Sequence, residues 1–177
     1  MKILAFGASY SAQSINKRLA AYVAGQFEGQ SVEVMDLRQF DLPVFTVDVE
    51  AEMGHPEKAR RFVEKLEQAD LLIISMAEHN GSYTAAFKNL FDWASRINPK
   101  MFDSKKMLLL STSPGPRGGV NALAAATDRF PRHGAIIAGT FSLPEFFKNF
   151  DEHEGIKDAL LNEKLMNLIN SVKENSE

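Results

Sequence analysis

A chain of 177 residues, 45% hydrophobic and 24% charged, has the make-up of one globular domain and needs neither disulfide nor metal to fold. Twenty basic against twenty-three acidic residues leave a net charge of −3, which argues against a broad nucleic-acid-binding face. The absence of cysteine excludes disulfides, thiolate catalysis and every Cys-based zinc or iron–sulfur centre.

The first apolar run, Ile3–Phe6, follows Met1 so closely that no signal-peptide core fits ahead of it. No run approaches the roughly 18 residues of a membrane span, so a cytoplasmic protein without a membrane partner is expected. Ile15, Leu19, Tyr22 and Val23 then recur at helical spacing, followed by a second strand-like run, Val32–Met35. The mixed segment Leu37–Pro56 is either a structured excursion near the active site or a long βα connection. A second helix carries Ala59, Phe62, Val63 and Leu66, with Glu57–Arg61 and Arg60–Glu64 as i,i+4 ion pairs. Leu71–Ile74 precedes a third helix holding Ala86, Phe87, Leu90, Phe91, Ala94 and Ile97. Met107–Leu110 and Ala135–Gly139 are the last strand candidates. Ile156, Leu160, Leu161, Leu165, Leu168 and Ile169 form the stripe of a final helix, and Lys173–Glu177 reads as a frayed polar tail. The runs are continuous rather than alternating, as in strands covered on both faces. Alternating with helices, they predict one α/β domain over 1–177, a doubly wound parallel sheet.

Ligands of such sheets bind beyond the carboxyl ends of the strands, where the winding reverses. Three loops there are unusual. Gly7–Asn16 is hydroxyl-rich, with Ser9, Ser11 and Ser14, and opens directly into a helix. It offers hydroxyls and N–H groups at the positive end of a helix dipole, suited to a mononucleotide phosphate, or Ser14 simply caps the helix. Neither a Walker lysine nor the second and third glycines of a dinucleotide fingerprint are present. The second loop, Met76–Ser82, contains Ala77, Glu78, His79, Asn80 and Gly81; its amides suit the edge of a flat heterocycle, or it is a plain polar turn. No second histidine stands at a ligand-like spacing from His79, so no metal site is expected. The third loop, Ser111–Gly119, spends two prolines and three glycines to clear side chains from a backbone that a planar ligand can approach. Arg117 within it meets a nucleotide phosphate or the charge of a reduced flavin, or is merely solvated.

Together these loops resemble the NAD(P)H-dependent FMN reductase family, which includes quinone, chromate and azo-dye reductases. Ser9, Ser14 and Asn16 fall in register with its G-S-x-R-x-x-S-x-N pattern. Glu78 through Ser82 is similar to P-E-Y-N-G-S, and Lys88-Asn89 with Asp92-Trp93 to L-K-N-x-x-D-W. Ser113-Pro114-Gly115 with Gly118-Gly119 matches S-P-G-x-x-G-G, and Phe150-Asp151-Glu152 with Gly155-Ile156 also looks familial. The resemblance implies a flavodoxin-like fold, five parallel strands in the order 2-1-3-4-5 with helices on both faces. It implies FMN as cofactor and NAD(P)H as co-substrate. Ser9, Ser11, Ser14, Ile15 and Asn16 would surround the phosphate, Ala77–Gly81 the isoalloxazine edge, and Ser113, Pro114, Gly115, Arg117, Gly118 and Gly119 its other side. Ser11, Ala77 and His79 stand where the family has Arg, Pro and Tyr, and losing the guanidinium weakens the hold on FMN. Similar proteins are homodimers or tetramers with this helix near the partner subunit, and the apolar surplus of Ala86–Ile97 predicts the same here.

The expected activity is a ping-pong transfer from NAD(P)H to a quinone, flavin or other small acceptor, with no indispensable acid–base residue. Two other classes stay open: an electron-carrying flavodoxin, and a flavin-free relic that binds another phosphorylated ligand or a protein. A serine hydrolase lacks its Gly-x-Ser-x-Gly elbow.

Overall fold

The apolar run at the N-terminus forms β1 (Lys2–Gly7), buried from Ile3 onward, in a computed structural model that describes residues 1–175. It leads into α1 (Ile15–Gly25), then β2 (Ser31–Val34) and a 3-10 turn at Leu37–Phe40. Helices α2 (Val47–Met53) and α3 (Glu57–Glu67) precede β3 (Leu71–Met76), which runs into a tight hairpin of β4 (Glu78–His79) and β5 (Ser82–Tyr83). Next come α4 (Ala85–Ile97), β6 (Lys106–Thr112), α5 (Val120–Arg129) and β7 (Ile136–Leu143). The chain closes with the short α6 (Phe146–Asn149), the hairpin of β8 (Phe150–Asp151) and β9 (Gly155–Ile156), and α7 (Ala159–Glu174).

The main sheet runs β2-β1-β3-β6-β7 with every pair parallel, which is the expected 2-1-3-4-5 order of a flavodoxin-like fold. Strand period sorts its side chains between two cores. Leu4, Phe6, Leu72, Ile74, Met107 and Leu109 face α3, α4 and α5. Ile3, Ala5, Leu71, Ile73, Leu108 and Leu110 face α1 and α7. Burial on both faces holds for β1, β3 and β6 but fails at the margins. All four β2 residues are exposed, and β7 is largely uncovered up to Thr140. Each is an edge strand flanked on one side only, so the covering helices do not reach across it.

Four other expectations are corrected. The stripe of α7 turns toward Leu165, Ile169 and Val172, while Leu160 is 77% exposed and Ile156 belongs to β9. The pairs Glu57–Arg61 and Arg60–Glu64 are absent among the described residues, and Lys65 of α3 instead reaches Glu33 on β2 at 2.8 Å. The tail is shorter than expected, since α7 continues to Glu174; of Lys173–Glu177, residues 176 and 177 lie outside the described residues.

The last correction concerns α4. Segment 37–56 is a structured excursion that packs on this helix and meets the first loop where Tyr10 donates to the Phe40 carbonyl. Asn89 accepts from the Phe45 N–H and donates to the Leu42 and Pro43 carbonyls, and Trp93 Nε1 donates to Pro43 at 2.8 Å. The Phe45 ring meets Trp93 edge-on at 5.1 Å, and Phe91 stacks on Phe130 at 5.5 Å. Phe87, Leu90, Phe91 and Trp93 are thereby buried, and the apolar surplus read from the sequence is consumed within the chain. Among the described residues no helix is long and apolar enough to cross a membrane.

Candidate functional site

The carboxyl ends of β1, β3 and β6 open on one edge of the sheet, and the winding reverses between β1 and β3. A cleft of about 300 Å³ lies there, lined by Ser9, Ser11, Gln13, Ser14, Ile15 and Asn16 from the first loop. Ala77, Glu78 and His79 line it from the second, Thr112, Ser113 and Pro114 from the third, and Phe147 from α6.

The first loop is tight because Gly7 lets α1 start directly against the strand. A Cβ on Gly7 would stand 2.3 Å from Lys17 N, an impossible approach. Ser14 is the N-cap of α1, its Oγ accepting from Lys17 N at 3.1 Å, and Ser9 Oγ accepts from Ser11 N at 3.1 Å. Both hydroxyls still have their own O–H to donate. The N–H groups of Ile15 and Asn16 precede the first intrahelical bond and point out of the positive end of the helix. Tyr10 anchors the loop from outside, donating to the Phe40 carbonyl at 2.8 Å, and burial pushes its hydroxyl pKa up.

Asn16 also has a structural job, beside the one expected. Its Oδ1 accepts from Ser75 Oγ at 2.7 Å and from Thr112 N at 3.0 Å, while its Nδ2 donates to the Thr112 carbonyl at 3.1 Å. Buried to 3% exposure, the side chain braces α1 against the ends of β3 and β6, leaving its backbone N–H and the second Nδ2 hydrogen for a ligand.

The cleft lining includes no lysine or arginine. Lys17 turns away to Asp36 at 2.8 Å, and the Arg38 guanidinium holds that carboxyl far below the usual range. Arg18 pairs with Glu152 at 3.0 Å and lies 5.0 Å over the Phe146 ring. An anion in the cleft would therefore meet hydroxyls, amides and a helix dipole.

The carboxylate of Glu78 is committed too. It accepts from Asn121 N at 2.8 Å and Ala122 N at 3.1 Å, capping α5 across the gap between two loops. Arg117 approaches it at 3.8 Å but is 71% exposed and lies outside the cleft. Asn80 and Gly81, with φ of 52° and 78°, form the β4–β5 turn and present His79 on the preceding strand to the cleft.

Asn80, Gly81, Gly115, Gly118 and Gly119 likewise lie outside the lining and shape the loops behind it. Gly118 has φ of 57°, and a Cβ there would meet Ser142 Oγ at 2.4 Å. Its carbonyl is held by the Ser111 and Ser142 hydroxyls at 2.7 and 3.0 Å. Sequence reasoning missed three lining residues. Gln13 and Thr112 lie within the loops already singled out, so their position was the available signal. Phe147 had none, because the fold carries it in from beyond β7.

A family model described as NADPH-dependent FMN reductase matches residues 1–148. An NAD(P)H-dependent FMN reductase of Pseudomonas aeruginosa is 32% identical over 123 residues, 69% of this chain and 65% of that protein. A quinone reductase of Escherichia coli is 34% identical over 79 residues, 45% of this chain and 42% of its own length. The matched stretch thus spans between two fifths and two thirds of these relatives. Among solved structures, a flavoenzyme NAD(P)H:(acceptor) oxidoreductase from Paracoccus denitrificans superposes with a TM-score of 0.72 at 22% identity, covering 98% of this chain and 97% of that one. At that identity the likeness is one of fold.

Proposed function

This chain belongs to the NADPH-dependent FMN reductase family, and from that premise we propose that it holds FMN in the cleft and passes electrons from NAD(P)H to a second small acceptor, such as a quinone. The observation that carries the reading is the serine-lined, cation-free mouth of α1 at the reversal of the winding.

The residues fit the cofactor by their chemistry. Ser9, Ser11 and Ser14 hydroxyls, with the Ile15 and Asn16 amides, suit a phosphate at a helix N-terminus. Ala77, Thr112, Ser113 and Pro114 carry short side chains, leaving backbone against which a planar ring can lie. FMN, when bound, supplies hydride acceptance from the nicotinamide and onward electron transfer. The protein orients the ligand through Ser14 and the third loop, whose position Asn16 and the Gly118 carbonyl clamp maintain. Glu78 lines the cleft with its carboxylate held by the amides of α5, which partly offset its charge toward an incoming anion. The three loops share one cleft, which favours alternation, the nicotinamide leaving before the acceptor enters, and the chain works in the cytoplasm.

Two-fold self-association beside α4 belongs to the same proposal, with changed support. The helix's own large side chains are buried, and the exposed apolar residues of that region are Val44, Val47 and Met53 of the excursion. Arg96 of α4 holds the excursion in place through Glu50 at 2.9 Å.

Absorbance spectra of the purified protein before and after adding FMN test the cofactor. Anaerobic NADH or NADPH should then bleach the bound flavin within seconds, and a quinone should restore its colour. A protein that leaves added FMN unbound refutes the assignment. One that binds FMN but ignores both nucleotides is the electron carrier instead.

A further inference from the structure

Among the described residues, Phe147 is the one aromatic in the set of large hydrophobic side chains left exposed, at 66%, and its exposure opens onto the candidate cleft. Nearby aromatics of the same segment behave differently. Phe146 and Phe150 are buried, stacked at 4.8 Å, and Arg18 of α1 lies over both. The segment is fixed to the third loop by two backbone bonds, Glu145 N–H to the Gly115 carbonyl and Phe146 N–H to the Ser113 carbonyl, both at 3.0 Å. Glu145 holds φ of 45°, a left-handed conformation that a non-glycine residue adopts only where its surroundings impose it. The turn is thus tied down on both sides, and it leaves one ring uncovered beside Thr112, Ser113 and Pro114. The ring meets Phe146 edge-on at 5.6 Å and leaves its remaining apolar surface for a ligand to cover.

We infer that Phe147 is an apolar wall of the cleft that packs against the carbon skeleton of a bound flavin, and so helps set flavin affinity. The inference rests on the FMN reading above. A phenyl ring offers a phosphate nothing, so the contact falls on the flavin portion and is shared by FMN and riboflavin.

The test is titration of FMN and of riboflavin by flavin fluorescence, with wild-type protein, Phe147→Ala, Phe147→Tyr and, as a control outside the cleft lining, Leu160→Ala. Phe147→Ala should weaken both flavins about tenfold, equivalent to about 1.4 kcal/mol. Phe147→Tyr should restore binding, and Leu160→Ala, whose side chain is also exposed, should leave it unchanged. Because Phe147 is largely exposed, its truncation should not move the thermal midpoint of the flavin-free protein. Unchanged affinity for both flavins in Phe147→Ala overturns the inference while the FMN reading stands. So does a loss confined to FMN, which would place the effect at the phosphate. A wild-type protein that binds neither flavin overturns the reading of the cleft, and this inference with it.

Discussion

Asn16→Ala separates a structural brace from a ligand contact. The substitution removes three buried hydrogen bonds and strands Ser75 Oγ–H, Thr112 N–H and the Thr112 carbonyl, all within residues buried to 1% exposure or less. An unsatisfied buried group costs about 1–3 kcal/mol, and the low end applies because water can enter from the adjoining cleft. Three groups at about 1 kcal/mol each, less roughly 0.5 kcal/mol for alanine's better helix propensity, give a loss of about 2.5 kcal/mol. For a domain of this size that is a fall in Tm of about 5–10 °C. Urea unfolding of the flavin-free protein is the assay, with Ser75→Ala and the double variant completing a cycle. The double variant should lose less than the sum of the singles, since both remove the 2.7 Å Ser75–Asn16 bond. A flavin-free Asn16→Ala protein destabilised by less than about 0.5 kcal/mol would refute the brace and return the side chain to the ligand.

The remaining predictions are briefer. Ser11→Arg should tighten FMN about tenfold, or about 1.4 kcal/mol, by adding a cation to a lining without one, and Ser14→Ala should weaken it by a similar factor; flavin titration reads both. His133 is buried, its Nδ1 facing the Pro99 carbonyl at 2.8 Å, its Nε2 without a partner and its ring 4.8 Å from that of Phe91, so burial lowers its pKa. Between that lowered value and the ordinary value near 6.5 the unfolded chain binds the extra proton, so this contribution to stability falls as pH drops below about 6.5, and His133→Gln should flatten that limb in unfolding curves compared at pH 7 and pH 5. Light scattering at micromolar concentration should give twice the 19.7 kDa chain mass, and Val47→Lys should shift the population toward monomer; a monomer mass for the wild type would end that proposal.

Ile3–Phe6, Leu71–Ile74 and Met107–Leu110 were legible as strands because a strand covered on both faces must be apolar at every position. The turn glycines were legible for a similar reason: Gly7, Gly118 and Gly119 stand where a Cβ would clash or where φ is positive. These are local demands, written in single residues and their neighbours. They were enough to locate the three loops of the cleft and its serine-lined end.

What each polar side chain does within those loops was decided by partners far away in the chain. Asn16 is spent on Thr112, ninety-six residues on, and Glu78 on amides more than forty residues distant. The same holds for α4, whose Trp93 and Phe91 read as surplus until segment 37–53 and Phe130 cover them. Phe147 shows it from the other side, since nothing in its neighbourhood distinguishes it from buried Phe146 until the bonds from Glu145 and Phe146 to the third loop set its direction. A residue type limits which bonds a side chain can make. Which of them it makes depends on the groups that folding brings within about 3 Å, and that proximity belongs to the tertiary structure alone.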